Sequence, residues 1–287
     1  MSTNLNVTVL VGNGFDLSAG MKTGTAEFMQ FFADKHKSDE GPVGRLAKRI
    51  LKDDPRNWAD FEKSLGEYTQ VIEETEDNPA GAALDCKGAI DTALIDFIDE
   101  ADSEITDEFV KANASSVIGS LAHWFGTLQP REVHSSLGRG PICGVNDASQ
   151  IVSNKLVSNK DIVTTYIKSE IQKFFGSNDE SDAMGALIRT DILIIYGLSL
   201  AESDAQWWSA ITSLLKQNTA LFVIIASIGV PISGRIPTTY LSYSRQLKGR
   251  LFRFGEASDE EIDTLSERVF IIPSEMILQF KETLPRD

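Results

Sequence analysis

Cysteine is scarce in this chain. Its 287 residues include two, Cys86 and Cys143, far apart and outside any CxxC arrangement. They read as buried free thiols of a reducing compartment, which excludes a disulfide framework and a zinc site. No HExxH, GxSxG or GxxxxGK[ST] pattern and no metal-spaced cluster occurs, so zincin, nucleophile-elbow and P-loop chemistry fall away and no metal is expected. No apolar run approaches the roughly 18–20 residues of a membrane span. The opening Met1-Ser2-Thr3-Asn4 carries neither a basic nor an apolar leader, so the expectation is a cytoplasmic protein without membrane contact. Basic charge is short as well: 27 Lys and Arg stand against 42 Asp and Glu, a net charge of −15. A chain without a basic excess cannot displace counterions from a phosphate backbone, which argues against nucleic acid as a partner.

What remains is an ordinary globular composition, 42% hydrophobic and 24% charged, long enough for one large domain or a domain with an insertion. The charge is uneven. Asp53–Val110 holds 18 acidic and three basic residues, whereas the rest of the chain balances 24 against 24. Such a stretch is a solvated helical face or, read functionally, a docking surface for a basic partner or a repulsive element that limits assembly.

Leu5–Val11 is a nearly continuous β-branched run, as in a strand buried on both faces. From about Val43 to Leu128 nothing reads as a strand. Ile90, Leu94, Phe97, Ile98, Ala101, Ile105 and Phe109 recur at three- and four-residue intervals, the mark of amphipathic helices. After Pro130 the pattern predicts short strands at Arg131–His134 and Pro141–Val145, then a helix over Lys160–Phe175. Asp191–Tyr196 reads as a buried strand, Gly197–Leu200 as a turn and Ser203–Leu215 as a helix. Further strands are predicted at Ala220–Ala226, Arg250–Phe254 and Arg268–Ile272. Apolar strands alternating with helices indicate a parallel α/β sheet. The predicted division is a core of residues 1–40 and 130–287, interrupted after its first strand–helix unit by an acidic helical insertion, 41–129.

Two turns and one histidine stand out. Gly12-Asn13-Gly14-Phe15-Asp16 follows the first strand, where missing Cβ atoms let backbone approach a ligand and helix N–H groups face an anion. It is either a plain tight connection or a phosphate-facing turn; Asp16 caps the helix or bonds a ribose hydroxyl. Gly197-Leu198-Ser199 repeats the logic, with Asp204 and the Trp207-Trp208 pair just beyond. Of three histidines, His36 sits in a charged stretch and reads as solvated, His123 reads as structural, and His134 is the best general-base candidate.

Leu10–Leu17, followed by Gly20-Met21-Lys22-Thr23 and Phe28, resembles the opening of the AbiH family of phage abortive-infection proteins. Asn57–Glu62, Gly140–Asp147, and Ile195–Leu200 with Asp204 and Trp208 are similar to further family elements. The resemblance implies a Rossmann-like, sirtuin-like core and an antiphage effector that binds NAD and hydrolyses it to nicotinamide and ADP-ribose. Carried over, Gly12, Asn13, Gly14, Phe15 and Asp16 hold the nucleotide with Gly197, Ser199 and Asp204, and His134 assisted by Asp16 serves catalysis. The alternative it leaves open is a non-catalytic nucleotide sensor or regulatory subunit of a defence complex, with the acidic residues 53–110 as the contact for a partner or a second copy. The chain departs from the family pattern in lacking a Phe-Asn-Tyr-Thr-like strand before His134, and in carrying Ser135 and Leu198 where glycine and histidine are usual.

Overall fold

The computed structural model describes residues 5–53, 58–125, 143–174, 179–227, 237–280 and 283. In chain order the elements are β1 (Val7–Val11), α1 (Gly14–Ser18), α2 (Thr25–His36), α3 (Pro42–Asp53), α4 (Trp58–Thr75), α5 (Pro79–Ser103) and α6 (Asp107–Phe125). Then follow α7 (Lys160–Tyr166), α8 (Lys168–Phe174), α9 (Asp179–Ile188), β2 (Ile192–Tyr196), α10 (Ala205–Gln217), β3 (Phe222–Ser227), α11 (Pro237–Arg253), α12 (Asp259–Ser266), β4 (Val269–Pro273) and α13 (Ser274–Ile277). No helix among the described residues is long and apolar enough to cross a membrane.

The chain forms two compact units. The sheet unit comprises Met1–Met21, Ile105–Val133 and Ser181–Asp287; the helical unit comprises Lys22–Glu104 and His134–Glu180. Residues 22–40 and 134–180 therefore group with the helices, and 105–133 with the sheet, unlike the division drawn from sequence.

In the sheet unit four parallel strands run in the order β1-β2-β3-β4. Strand residues alternate between two apolar layers, as the two-residue period of a pleated strand requires. Leu193, Ile195, Val223, Ile225, Val269 and Ile271 pack with Trp208, Ile211 and Leu215 of α10 and with Leu247, Leu251 and Phe252 of α11. Ile194, Tyr196 and Ala226 pack on the other side with Ile277, Leu278 and, from α6, Val117 and Leu121. Covered on both faces, these strands read in sequence as continuous apolar runs. Arg268 fixes the start of β4 by donating from Nη2 to Leu215 O at 2.5 Å and from Nη1 to Asn218 O at 2.7 Å. Those bonds satisfy carbonyls left over at the end of α10.

Three predicted elements fall differently. Arg250–Phe254 is not a strand: through Arg253 it is the last turn of α11. Leu247 and Leu251, four residues apart, turn the same helical face into the core. Cys143–Val145, the described part of the predicted Pro141–Val145 strand, makes only an isolated parallel bridge, Val145 to Ile167. That bridge also divides the predicted 160–175 helix. Val145 N donates to Tyr166 O and Lys168 N donates to Val145 O, so Ile167 is extended and separates α7 from α8. The predicted strand Arg131–His134 lies outside the described residues.

The helical unit is built on α2, α3, α4, α5 and α7. Phe28 is its aromatic hub, with ring centroids 5.1–6.1 Å from Phe32, Trp58, Phe61 and Phe97. Leu46, Ile50, Leu65, Ile72, Ile90, Leu94 and Ile162 complete the core.

Candidate functional site

Adjacent strands β1 and β2 both end in glycine turns, and the turns lie side by side. Gly12 N donates to Tyr196 O at 2.8 Å, and Gly14 N donates to Gly197 O at 2.9 Å. Phe15 N then donates back to Gly12 O. A Cβ on Gly12 would stand 2.7 Å from Gly197 O, and one on Gly14 would stand 2.5 Å from Gly197 Cα. Gly197 itself has φ +67°, and a Cβ there would meet Gly14 and Phe15 backbone at 2.7 Å. The close approach for which the glycines are needed is thus that of one turn to the other. The amides of Gly12, Gly14 and Phe15 donate to backbone carbonyls rather than pointing at an open anion cradle.

Around this pair the edge is built from aromatic and hydroxyl groups. The Phe15 ring meets Tyr196 edge-on at 6.0 Å and Phe280 at 5.1 Å. Ser18 Oγ donates to Gly14 O at 2.6 Å and accepts from the Tyr196 hydroxyl at 3.3 Å. Asn13 occupies the cap position of α1, with Asp16 in its first turn. Past Gly197, Ser199 is exposed and Leu200 is buried with φ +50°. Trp208 holds this turn by donating from Nε1 to Ala201 O at 2.8 Å. Asp204 precedes α10 and makes no side-chain cap bond there. The structure thus brings Gly12, Asn13, Gly14 and Phe15 together with Gly197. His134 lies outside the described residues. His123 is exposed on α6. His36, expected in solvent, is half-buried against Phe32, with ring centroids 4.7 Å apart. Among the described residues no group of three or more His, Cys, Asp or Glu is placed to hold a metal. A shallow groove on α11, lined by Thr238, Thr239, Ser242, Tyr243 and Gln246, contains none of the predicted site residues.

The helical unit holds a polar centre that residue-by-residue reading missed. Glu62 of α4 is buried, and its Oε2 accepts from Lys168 Nζ at 2.8 Å. Its Oε1 accepts from Gly144 N at 3.5 Å, so two of the segments carrying the family resemblance meet here. The buried Lys87 ammonium donates to both Asp91 carboxylate oxygens at 2.5–2.6 Å. Burial pushes the Cys143 thiol up to about 12, with Glu62 adding to the rise. Cys86 is raised to about 12 by burial and by Asp85. A thiol buried in its neutral form costs free energy to ionise in place, whereas the unfolded chain ionises it near the ordinary value of 9.0. Between about pH 9 and 12 the folded chain therefore binds more protons than the unfolded one, and stability falls as pH rises. Burial raises Tyr68 to about 12 and Tyr166 well above 10.0 in the same direction. Urea midpoints are expected to decline steadily above pH 9, and both thiols to resist a thiol reagent at pH 8 until urea is added. A native thiol that reacts at the rate of a free cysteine contradicts the burial.

Residues 8–136 match the family described as bacteriophage abortive infection AbiH. That segment, a little under half of the chain, is what it shares with the AbiH family. No curated protein and no solved structure matches it. The AbiH segment takes in β1, the first glycine turn and helices α1 to α6, and it includes Glu62 and His134. It ends before β2, so the second turn at Gly197 and the ion-pair partner Lys168 come from the part of the chain beyond the match.

Proposed function

We propose that this AbiH-family chain acts in antiphage abortive infection by binding NAD, or a related nucleotide, at the carboxyl edge of its sheet and hydrolysing it to nicotinamide and ADP-ribose. The observation that carries this reading is the pair of glycine turns ending adjacent parallel strands, since open α/β sheets take ligands outside the carboxyl ends of their strands. The engaged turn amides refine the mode of contact. The reading therefore has the nucleotide met by side chains rather than by a backbone cradle: Asn13, Asp16, the exposed Ser199 and Asp204. Carboxylates repel a diphosphate and accept from hydroxyls, so Asp16 and Asp204 suit the ribose hydroxyls. In the reaction, a water oxygen bonds to the nicotinamide-bearing ribose carbon and the glycosidic C–N bond breaks. Its electron pair leaves with the nicotinamide nitrogen. His134 takes the water proton, assisted by Asp16.

The absence of a Phe-Asn-Tyr-Thr-like segment before His134 favours a second reading, a sensor that binds the nucleotide without turnover. Purified full-length protein incubated with NAD separates the two. Nicotinamide release that disappears in His134→Ala supports the hydrolase. A thermal shift with NAD or ADP-ribose but no release supports the sensor. Neither release nor any shift removes both.

A further inference from the structure

A net charge of −15 averages over faces that differ. Between Asp204 and Glu256 the chain holds six Lys and Arg and no Asp or Glu. Four of the six, Arg245, Lys248, Arg250 and Arg253, are on α11. Lys248 is half-buried and donates to Ser266 O at 2.7 Å, whereas the three arginines are exposed. At three- and four-residue spacing they share one helical face with Ser242, Gln246 and Gly249. Ser244, Leu247 and Leu251 turn the opposite face inward. Ser242 and Gln246 also line the shallow groove on this helix, with Thr238, Thr239 and Tyr243. Groove and arginines are thus one surface, polar along its length and without an acid; the acids of α12 begin past its last turn. The segments outside the described residues hold six basic and four acidic residues, so they bring no acidic excess to neutralise it. Nothing lies within 4 Å of a Cβ added at Gly249. Packing does not call for a glycine there, although glycine weakens a helix, and it leaves the backbone bare between Arg245 and Arg253.

We propose that this face of α11 binds the sugar–phosphate backbone of a nucleic acid. Its chemistry selects that occupant. A shallow polar groove has the wrong shape and lining for an organic cofactor, which sites enclose in mostly apolar walls. A protein partner needs apolar or aromatic anchors at the centre of the contact, and the centre here is glycine, hydroxyl, amide and guanidinium. Those are the groups that meet phosphate and sugar oxygens, the guanidinium fork matching the phosphate bidentately. From Arg245 to Arg253 the helix rises about 12 Å, room for about three phosphates of one strand at about 3.4 Å each. Acidic charge elsewhere on the chain does not forbid the contact. Exposed charges further apart than a Debye length, about 8 Å at physiological salt, are largely screened from one another. The expectation drawn from net charge is therefore replaced for this face alone, as a short local contact that holds a strand without reading its bases. The inference is independent of any nucleotide at the glycine turns.

Fluorescence anisotropy of the full-length protein with labelled single-stranded DNA, single-stranded RNA and duplex DNA tests it. At least one probe is expected to bind at about 50 mM salt, weakening as salt rises with a log–log slope of about −2 to −3, the value for three neutralised phosphates. Arg245→Gln combined with Arg253→Gln is expected to weaken binding about tenfold and to bring the slope to about −1. Its urea midpoint is expected to match wild type, because both side chains are exposed. Ser242→Glu, which sets a like charge in the groove, is expected to weaken binding as well. Lys63→Gln, at an exposed lysine of α4, is the control and leaves affinity and slope as they were. No binding by any probe overturns the inference, as does a slope that the arginine pair does not change. Polyglutamate that displaces the nucleic acid at equal charge concentration also overturns it, assigning the face to an acidic protein.

Discussion

Gly197→Ala is expected to lower the stability of the sheet unit by about 2–4 kcal/mol, combining a left-handed residue with overpacking. Two independent costs meet at this position. The backbone sits at φ +67°, where an L side chain crowds its own carbonyl. The added methyl would also stand 2.7 Å from the Cα and C of Gly14 and from the N of Phe15. Those are backbone atoms held by the Gly14–Gly197 and Gly12–Tyr196 hydrogen bonds, so relief requires moving the ends of both strands. Gly88→Ala is the matched control. Gly88 lies inside α5 with nothing within 4 Å of its added Cβ, so alanine there is expected to stabilise by about 0.5–1 kcal/mol. Urea denaturation of both variants measures the contrast. A Gly197→Ala midpoint equal to wild type would show that the two turns are not packed as described.

The second large effect belongs to Lys168→Met, which strands the Glu62 carboxylate without its closest cation. Removing one member of a buried pair leaves an uncompensated charge and costs about 3–5 kcal/mol when burial is complete. Lys168 keeps 23% of its side chain exposed against 9% for Glu62, and water reaching the lysine end reduces the figure to about 2–3 kcal/mol. Replacing both residues by apolar ones of similar volume, Glu62→Leu with Lys168→Met, is expected to recover much of the loss, since desolvation of both charges is then avoided. The double-mutant cycle is the measurement. Additive losses in the double variant would mean that the two side chains do not act as a pair.

Strands Ile192–Tyr196 and Phe222–Ser227 were legible because both faces of the sheet are covered and every residue but the terminal Ser227 is apolar. The same rule misled at Arg250–Phe254, where Arg-Leu-Phe-Arg-Phe looks strand-like over five residues. A window reaching back to Leu247 shows the helical stripe. Pro141–Val145 failed for a related reason: a short apolar run fits a buried segment among helices as well as a strand. The helix break at Ile167 depends on Val145, 22 residues earlier, and no local pattern encodes it. At the candidate site the two glycine turns were visible as turns. What fills the space beside them was not, because Gly14 and Gly197 are 183 residues apart and meet only when β1 lies against β2. The Glu62–Lys168 pair was hidden likewise, since a charge pair 106 residues apart leaves no periodic trace.

That separation between β1 and β2 also governs how the chain is born. Asn6 and Asp191 are bonded across 185 residues, so the first strand leaves the ribosome long before its only described neighbour exists. At roughly 5–20 residues per second the wait is on the order of 10–40 seconds. Through that interval Val-Thr-Val-Leu-Val, uncharged and proline-free, lacks its β2 partner, a composition that invites association with other nascent chains. The helical residues 22–104 are synthesised meanwhile, and the acidic excess begins at Asp53, 42 residues after Val11. Like charge on those acidic segments opposes close approach of neighbouring nascent chains during the interval before β2 shelters the strand.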